Sequence, residues 1–138
     1  MNHTNAFIIV ADDDADDRAI IKEAFEANEF SGTVSFVSDG QELLEKLSSH
    51  IPHIILLDLN MPKIDGRTAL KTIRSVEKYR KIPVIILSTS ASDHDINSCY
   101  YLGCNCYIIK PGSFKALTNA MQSVTNYWLG LCQLPTLN

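Results

Sequence analysis

Four short apolar runs, each ending in a reactive polar group, restrict this chain more than anything else in it. Phe7-Ile8-Ile9-Val10 leads into Asp12-Asp13-Asp14, and Ile54-Ile55-Leu56-Leu57 is closed by Asp58. Val84-Ile85-Ile86-Leu87 gives way to Ser88-Thr89-Ser90, and Tyr107-Ile108-Ile109 to Lys110-Pro111. Runs this short, apolar without alternation, read as strands covered on both faces. Such strands belong to parallel sheets, which present reactive groups just past their carboxyl ends. Acid, acid, hydroxyl and lysine are thereby delivered to one edge, a set suited to gripping a divalent metal and a phosphoryl group.

The segments between the runs are helical in pattern. Strands are expected over 6–11, 33–37, 53–57, 82–87 and 106–109. Helices are expected over 15–27, 41–47, 66–78, 93–102 and from about 113 to 129. In the first helix Ile20, Ile21, Ala24 and Phe25 recur at helical spacing after Asp14, a plausible N-cap. Leu43, Leu44 and Leu47 share one side of the second, and Ala69, Leu70 and Ile73 face inward on the third. No repeat, linker or low-complexity segment interrupts the alternation. Five strands alternating with five helices, joined by right-handed crossovers, give an α/β, flavodoxin-like doubly wound sheet of order 2-1-3-4-5. Its switch point lies between the first and third strands, where the acidic cluster and Asp58 sit.

With 138 residues, 46% of them hydrophobic and 20% charged, the chain is read as one globular domain over 1–138. Its core is expected over about 6–130, with a C-terminal helical tail. A net charge of -4 without a Lys/Arg cluster argues against a nucleic-acid partner. Arg74, Lys78, Arg80 and Lys81 come nearest to a patch and are read as a solvated helix end. No run is long enough to span a bilayer and no targeting signal is seen, so a cytoplasmic location is expected. Cys99, Cys104, Cys106 and Cys132 lack the spacing of a zinc site, and the Cys104-x-Cys106 pair, which invites a metal reading, is read instead as small buried or half-buried thiols. His3, His50, His53 and His94 avoid the strands' carboxyl ends and are read as surface or strand-start residues.

Asp12, Asp13 and Asp58 crowd negative charge into one crevice, which raises pKa values or recruits a cation. Mg²⁺ suits the site because it takes a few carboxylates and retains water. Asp58 could then act as a nucleophile and form an acyl phosphate, while Lys110 and Ser88 meet phosphoryl oxygens. Pro111 imposes extended geometry on Lys110, and a cis Lys110–Pro111 bond is one way of aiming that side chain. Asp14, Asp16 and Asp17 are read as helix-start capping and dipole residues.

Taken together, Asp12-Asp13, Asp58-Leu59-Asn60-Met61-Pro62 with Asp65-Gly66, Ser88 and Lys110-Pro111 resemble the receiver domain of two-component response regulators over essentially the whole chain. The Asp16-Asp17-Arg18 start, the Asp58 block and the Trp-bearing tail resemble the stand-alone regulators that partner bacterial phytochromes. This likeness implies phosphoryl transfer from a histidine kinase or phosphotransfer protein to Asp58. It implies Mg²⁺ bound by Asp13, Asp58 and the Asn60 main-chain carbonyl, with Asp12 acting largely through water. Ser88 and Tyr107 match the family's switch pair, and Asn60 and Ser90 match positions that tune dephosphorylation. The fourth helix, fifth strand and fifth helix would form the output surface toward an unidentified protein. Gly112 departs from the pattern, which has a bulkier apolar residue after Lys-Pro.

The chain is accordingly expected to be a signalling domain and not an enzyme. Too little sequence follows the last helix for an output domain, so output is expected by contact. An Mg²⁺-dependent phosphohydrolase is the alternative; it would place an acid two positions after its nucleophile, where Asn60 stands. A receiver-fold adaptor that is never phosphorylated would lack a site residue, and none is lacking. A flavin module would need a Ser/Thr/Gly-rich loop after the first strand, and Asp12-Asp13-Asp14 repels phosphate there. Tyr127 and Trp128, late in the last helix, are candidates for a homodimer contact.

Overall fold

The computed structural model describes residues 3–136. Five parallel strands, β1 (Phe7–Ala11), β2 (Thr33–Val37), β3 (Ile54–Leu57), β4 (Val84–Ser88) and β5 (Cys106–Ile109), lie in the order β2-β1-β3-β4-β5. They alternate with α1 (Ala15–Ala27), α2 (Gly40–Ser49), α3 (Gly66–Ser75), α4 (Asp93–Leu102) and α5 (Phe114–Val124). The flavodoxin-like topology is therefore the expected one.

Alternate residues of each inner strand serve opposite cores. Ile9, Ala11, Ile55 and Leu57 pack with Leu43 and Leu47 of α2, Leu70 and Ile73 of α3 and Cys99 of α4. Ile8, Val10, Ile54, Leu56 and Leu87 pack with Ile21 and Phe25 of α1 and Leu117 and Met121 of α5. Covering both faces explains why no polar residue interrupts β1 or β3 before its carboxyl end. In register, Ala11 lies opposite Leu57 and Ser88 opposite Ile109. Asp12 and Asp58 thus leave adjacent strands at one level.

Each helix begins with a polar cap at that same edge. Asp14 accepts from the N–H groups of Asp16 and Asp17, Asp39 from Glu42, Asp65 from Thr68, Ser92 from Asp95 and Ser113 from Ala116. These caps satisfy backbone donors that a helix leaves unpaired. At its other end α4 stops at Gly103, whose φ of 106° is available to glycine at little cost.

Several expectations need correction. Ile20 is 40% exposed while Ile21, Ala24 and Phe25 are buried, because the packed face of α1 is narrower than the apolar pattern. Helix α3 ends at Ser75 and not at residue 78; a 3₁₀ turn, Glu77–Tyr79, follows and anchors the buried Tyr79 in the core. Arg74 is no solvated helix end. Its guanidinium donates to the carbonyls of Gly103, Arg80 and Ile82 and to Asn105 Oδ1, and burial lowers its pKa. No peptide bond among the described residues is cis, so Lys110–Pro111 is trans. The Lys110 N–H donates to Ser88 O at 2.7 Å, prolonging the β4–β5 pairing, so the side chain reaches the site from a trans peptide.

After α5 the chain widens into a π-helical segment, Thr125–Leu131. Trp128 there packs against the core shared by α1 and α5, and Tyr127 meets its ring edge-on at 5.2 Å. Among the described residues no helix is long and apolar enough to cross a membrane. All four cysteines are free thiols; Cys99 and Cys104 are buried, and burial pushes Cys104 up to about 11. His53 precedes β3 and accepts the Phe7 N–H on Nδ1 at 3.0 Å.

Candidate functional site

The site forms where β1 and β3 end. The Asp12 N–H donates to Val37 O at 3.0 Å and the Asp58 N–H to Ala11 O at 2.9 Å, so sheet pairing fixes both backbones. Oxygens of Asp12, Asp13 and Asp58 all lie within 4.8 Å of one another. Asp12 and Asp58 are only 1% and 7% exposed, whereas Asp13 faces solvent. Gly66 makes this packing possible, since a Cβ there would lie 2.3 Å from the Asp58 carbonyl oxygen.

Lys110 arrives from β5. Its Nζ donates to Asp12 Oδ2 and to Asp17 Oδ2, both at 2.8 Å, and stands 3.7 Å from Asp58 Oδ2. Burial alone would lower its pKa, but the bonds to Asp12 and Asp17 and the charge of Asp58 outweigh that and raise it. Asp58 is pushed up to about 6, chiefly by burial; Lys110 opposes the shift and Asp12 and Asp13 add to it. A carboxylate so placed is short of positive charge. An oxygen-rich cluster with two buried acids fits a hard divalent cation.

Ser88, wholly buried at the end of β4, accepts the Ser90 N–H on Oγ at 3.2 Å. Tyr107 on β5 is half-buried and its hydroxyl donates to Ser90 O at 2.8 Å. Asn60 is exposed in the loop two residues beyond Asp58. The structure thus brings Asp12, Asp13, Asp58 and Lys110 into one cluster and links Ser88 to Tyr107 through Ser90. Tyr127 and Trp128 lie in the C-terminal segment outside it.

Three residues escaped sequence reasoning. Asp17, read there as a dipole residue, is a partner of Lys110. It stands four positions after Asp13, the helical spacing that would have flagged it. Asp95 binds both Ser90 and Arg67. Its signal was the capping pattern Ser92-x-x-Asp95, which turns the acid back toward the loop. Arg67 itself left no such mark.

Comparison with known proteins identifies a family for the chain. The family model of the response regulator receiver domain matches residues 8–122. The probable methanogenesis regulatory protein FilR2 of Methanothrix harundinacea is 37% identical over 134 residues, 93% of this chain and 86% of that protein. The phosphorylated cyanobacterial phytochrome response regulator RcpA superposes with a TM-score of 0.90 at 34% identity, covering 96% of this chain and 99% of that one. The Mn²⁺-bound form of response regulator Rcp1 gives 0.86 at 30%, covering 95% and 99%; Rcp1 comes from Synechocystis. By the family model and by these relatives, the chain belongs to the response regulator receiver domain family.

Proposed function

We propose that this chain is a phosphorylation switch in which Asp58 accepts a phosphoryl group from the phosphohistidine of a sensor histidine kinase or phosphotransfer protein. The observation that carries this reading is the convergence of Asp12, Asp13 and Asp58 within 4.8 Å, with Lys110 Nζ 3.7 Å from Asp58 Oδ2. Asp12, Asp13, Asp58 and the Asn60 main-chain carbonyl would hold Mg²⁺. Once bound, the ion offsets the charge on the transferring group's oxygens. The presence of Mn²⁺ in Rcp1 supports a divalent cation here.

In the transfer an Asp58 carboxylate oxygen attacks phosphorus and the donor's P–N bond breaks. The imidazole departs with the electron pair and regains a proton from solvent. Lys110 is placed to meet one phosphoryl oxygen, and the Ser88 hydroxyl to meet another. A groove of about 320 Å³ opens beside Lys110, lined by Ile20, Ile21, Leu87, Pro111 and Phe114. Ile20 and Phe114 are 40% and 46% exposed, which supports docking of the donor's apolar surface there.

Receiver domains are signalling domains, and this one would act by contact in the cytoplasm as a single domain. Ser88 and Tyr107 would report the new charge to the face of α4, β5 and α5, where Tyr100, Tyr101 and Ile109 are exposed. Asn60 and Ser90 would set the lifetime of the phosphoryl group. Tyr127, half-exposed beside the exposed Leu131, supports a contact between two copies, which concentration-dependent sedimentation would test.

The test is intact mass after incubation with Mg²⁺ and acetyl phosphate. Wild type should gain one phosphoryl group; Asp58→Asn and an EDTA-treated sample should gain none. An unmodified wild type under acetyl phosphate and under a kinase donor would refute the reading.

A further inference from the structure

A lysine ammonium has three hydrogens to donate, and Lys110 commits two of them to carboxylates. Its Nζ donates to Asp12 Oδ2 and to Asp17 Oδ2, both at 2.8 Å. Asp58 Oδ2 stands 3.7 Å away, beyond the roughly 2.7–2.9 Å of a charge-assisted N–H···O bond. Lys110 therefore stops short of Asp58, with one hydrogen left for a further oxygen.

The acids around Lys110 differ in what else they do. Asp12 Oδ1 accepts the Asp14 N–H at 2.9 Å, and Arg18 donates to the Asp12 carbonyl at 2.8 Å, so Asp12 is fixed at both ends. Asp12 and Asp58 also belong to the cluster that suits a cation, whereas Asp17 lies outside it. Nor does α1 need Asp17 in order to start. Asp14 is its N-cap, and Asp16 brings negative charge to the same first turn. The Asp17 side chain is 37% exposed against 2% for that of Asp12, and it lines the groove beside Lys110. Asp17 thus holds the ammonium from the side of α1, with no second duty in the pocket.

We infer that Asp17 is a positioning residue that anchors Lys110 away from Asp58, leaving the carboxylate free to attack and the ammonium in place for a phosphoryl oxygen. The inference rests on Asp58 being the phosphoryl acceptor. Without Asp17, the half-satisfied ammonium keeps Asp12 and closes on Asp58, the other carboxylate among its ion-pair partners. A carboxylate oxygen bonded to an ammonium is a weaker nucleophile, and that bond must break as the phosphoryl group arrives. Anchoring on α1 removes this rearrangement from the reaction, as preorganised electrostatic groups do. Asp17 acts only through Lys110.

The experiment uses the full chain with Mg²⁺ and acetyl phosphate, a donor too small to depend on docking in the groove that Asp17 lines. An Asp58 oxygen bonds to phosphorus, the bond from phosphorus to the acetyl oxygen breaks, and acetate leaves with the electron pair. Asp17→Ala should gain the phosphoryl mass about three- to tenfold more slowly than wild type, the scale of one hydrogen bond. Asp16→Ala removes the same charge from the same helical turn, and among the described residues Asp16 makes no ion pair with Lys110. It should match wild type. Crystal structures of the metal-free variants give a second readout that does not depend on phosphorylation. Lys110 Nζ should lie within hydrogen-bond distance of Asp58 Oδ2 in Asp17→Ala, and should keep its wild-type separation in Asp16→Ala. A merely structural role for Asp17 would lower the melting temperature and leave that separation unchanged. Phosphorylation of Asp17→Ala at the wild-type rate or faster, equal slowing in Asp16→Ala, or an unmoved Lys110 overturns the anchor. A wild type that gains no phosphoryl group would instead overturn the assignment of Asp58, while the crystal structures would still decide whether Asp17 holds Lys110 off that residue.

Discussion

The Lys110 ammonium sits 2.8 Å from Asp12 Oδ2, although Lys110 follows the edge strand β5 and Asp12 follows β1, with β3 and β4 between them. The two side chains are 13% and 2% exposed, so neither charge is well solvated. Removing the cation leaves buried carboxylates unpaired, a change that costs about 3 kcal/mol in comparable settings. Lys110→Met should therefore lower stability toward urea by that order in EDTA. Mg²⁺ should restore much of the loss, since a bound cation replaces the missing charge, and phosphorylation should still be slow. Urea titrations with and without Mg²⁺ check this; equal losses in both would mean that Lys110 does not neutralise the acid cluster.

Asp58 makes the metal-free protein sensitive to pH. Its pKa rises from 3.8 to about 6 on folding, so the folded state binds the proton more tightly than the unfolded chain. The stabilisation from this group is complete below about pH 4 and is lost as pH rises through 6. Its full extent is about 3 kcal/mol. Wild type in EDTA should thus lose stability relative to Asp58→Asn between pH 4 and 7. Protons should likewise compete with Mg²⁺, whose affinity should fall as pH drops below 6. Parallel unfolding curves for the two proteins across this range would contradict the burial argument.

Arg74 works at the opposite edge of the sheet. It ties the end of α3 to Arg80 O and Ile82 O before β4, and to Gly103 O and Asn105 Oδ1 before β5. Arg74→Met keeps the aliphatic stem but strands these acceptors, at a cost of about 2–4 kcal/mol. Thermal unfolding should register that loss. Asp58 should still gain its phosphoryl group at the wild-type rate at temperatures where the variant is folded.

Sequence and structure agree best where a single element decides the outcome. Buried parallel strands exclude polar side chains until they end, so Asp12, Asp58, Ser88 and Lys110 could be read as ends, and the alternation set the topology. Residues whose roles depend on a neighbour from elsewhere in the chain were harder. Asp17 resembles any acid in a first helical turn until Lys110, 93 positions away, is folded over it. Arg74 satisfies mostly backbone carbonyls, which leave no trace in a side-chain pattern. Ile20 shows the converse: its spacing is that of a core residue, yet its surroundings form an open groove beside the site.

Two glycines flank the site and should respond oppositely to one added methyl group. At Gly66 a Cβ would lie 2.3 Å from the Asp58 carbonyl oxygen and 2.7 Å from the Leu59 Cα, both backbone atoms at the end of β3. Neither can yield without moving Asp58, so Gly66→Ala should cost about 1–3 kcal/mol and slow phosphorylation together. At Gly112, just after Lys110-Pro111, nothing lies within 4 Å of a built Cβ. Gly112→Ala should leave the phosphorylation rate unchanged and be neutral or slightly stabilising, because alanine restricts the unfolded chain more than glycine does. Urea unfolding and acetyl phosphate time courses on both variants test the pair. A slow but fully stable Gly66→Ala would show that the contact positions Asp58 without straining the fold. A slow Gly112→Ala would place the loop's freedom, and not its sterics, in the path of phosphoryl transfer.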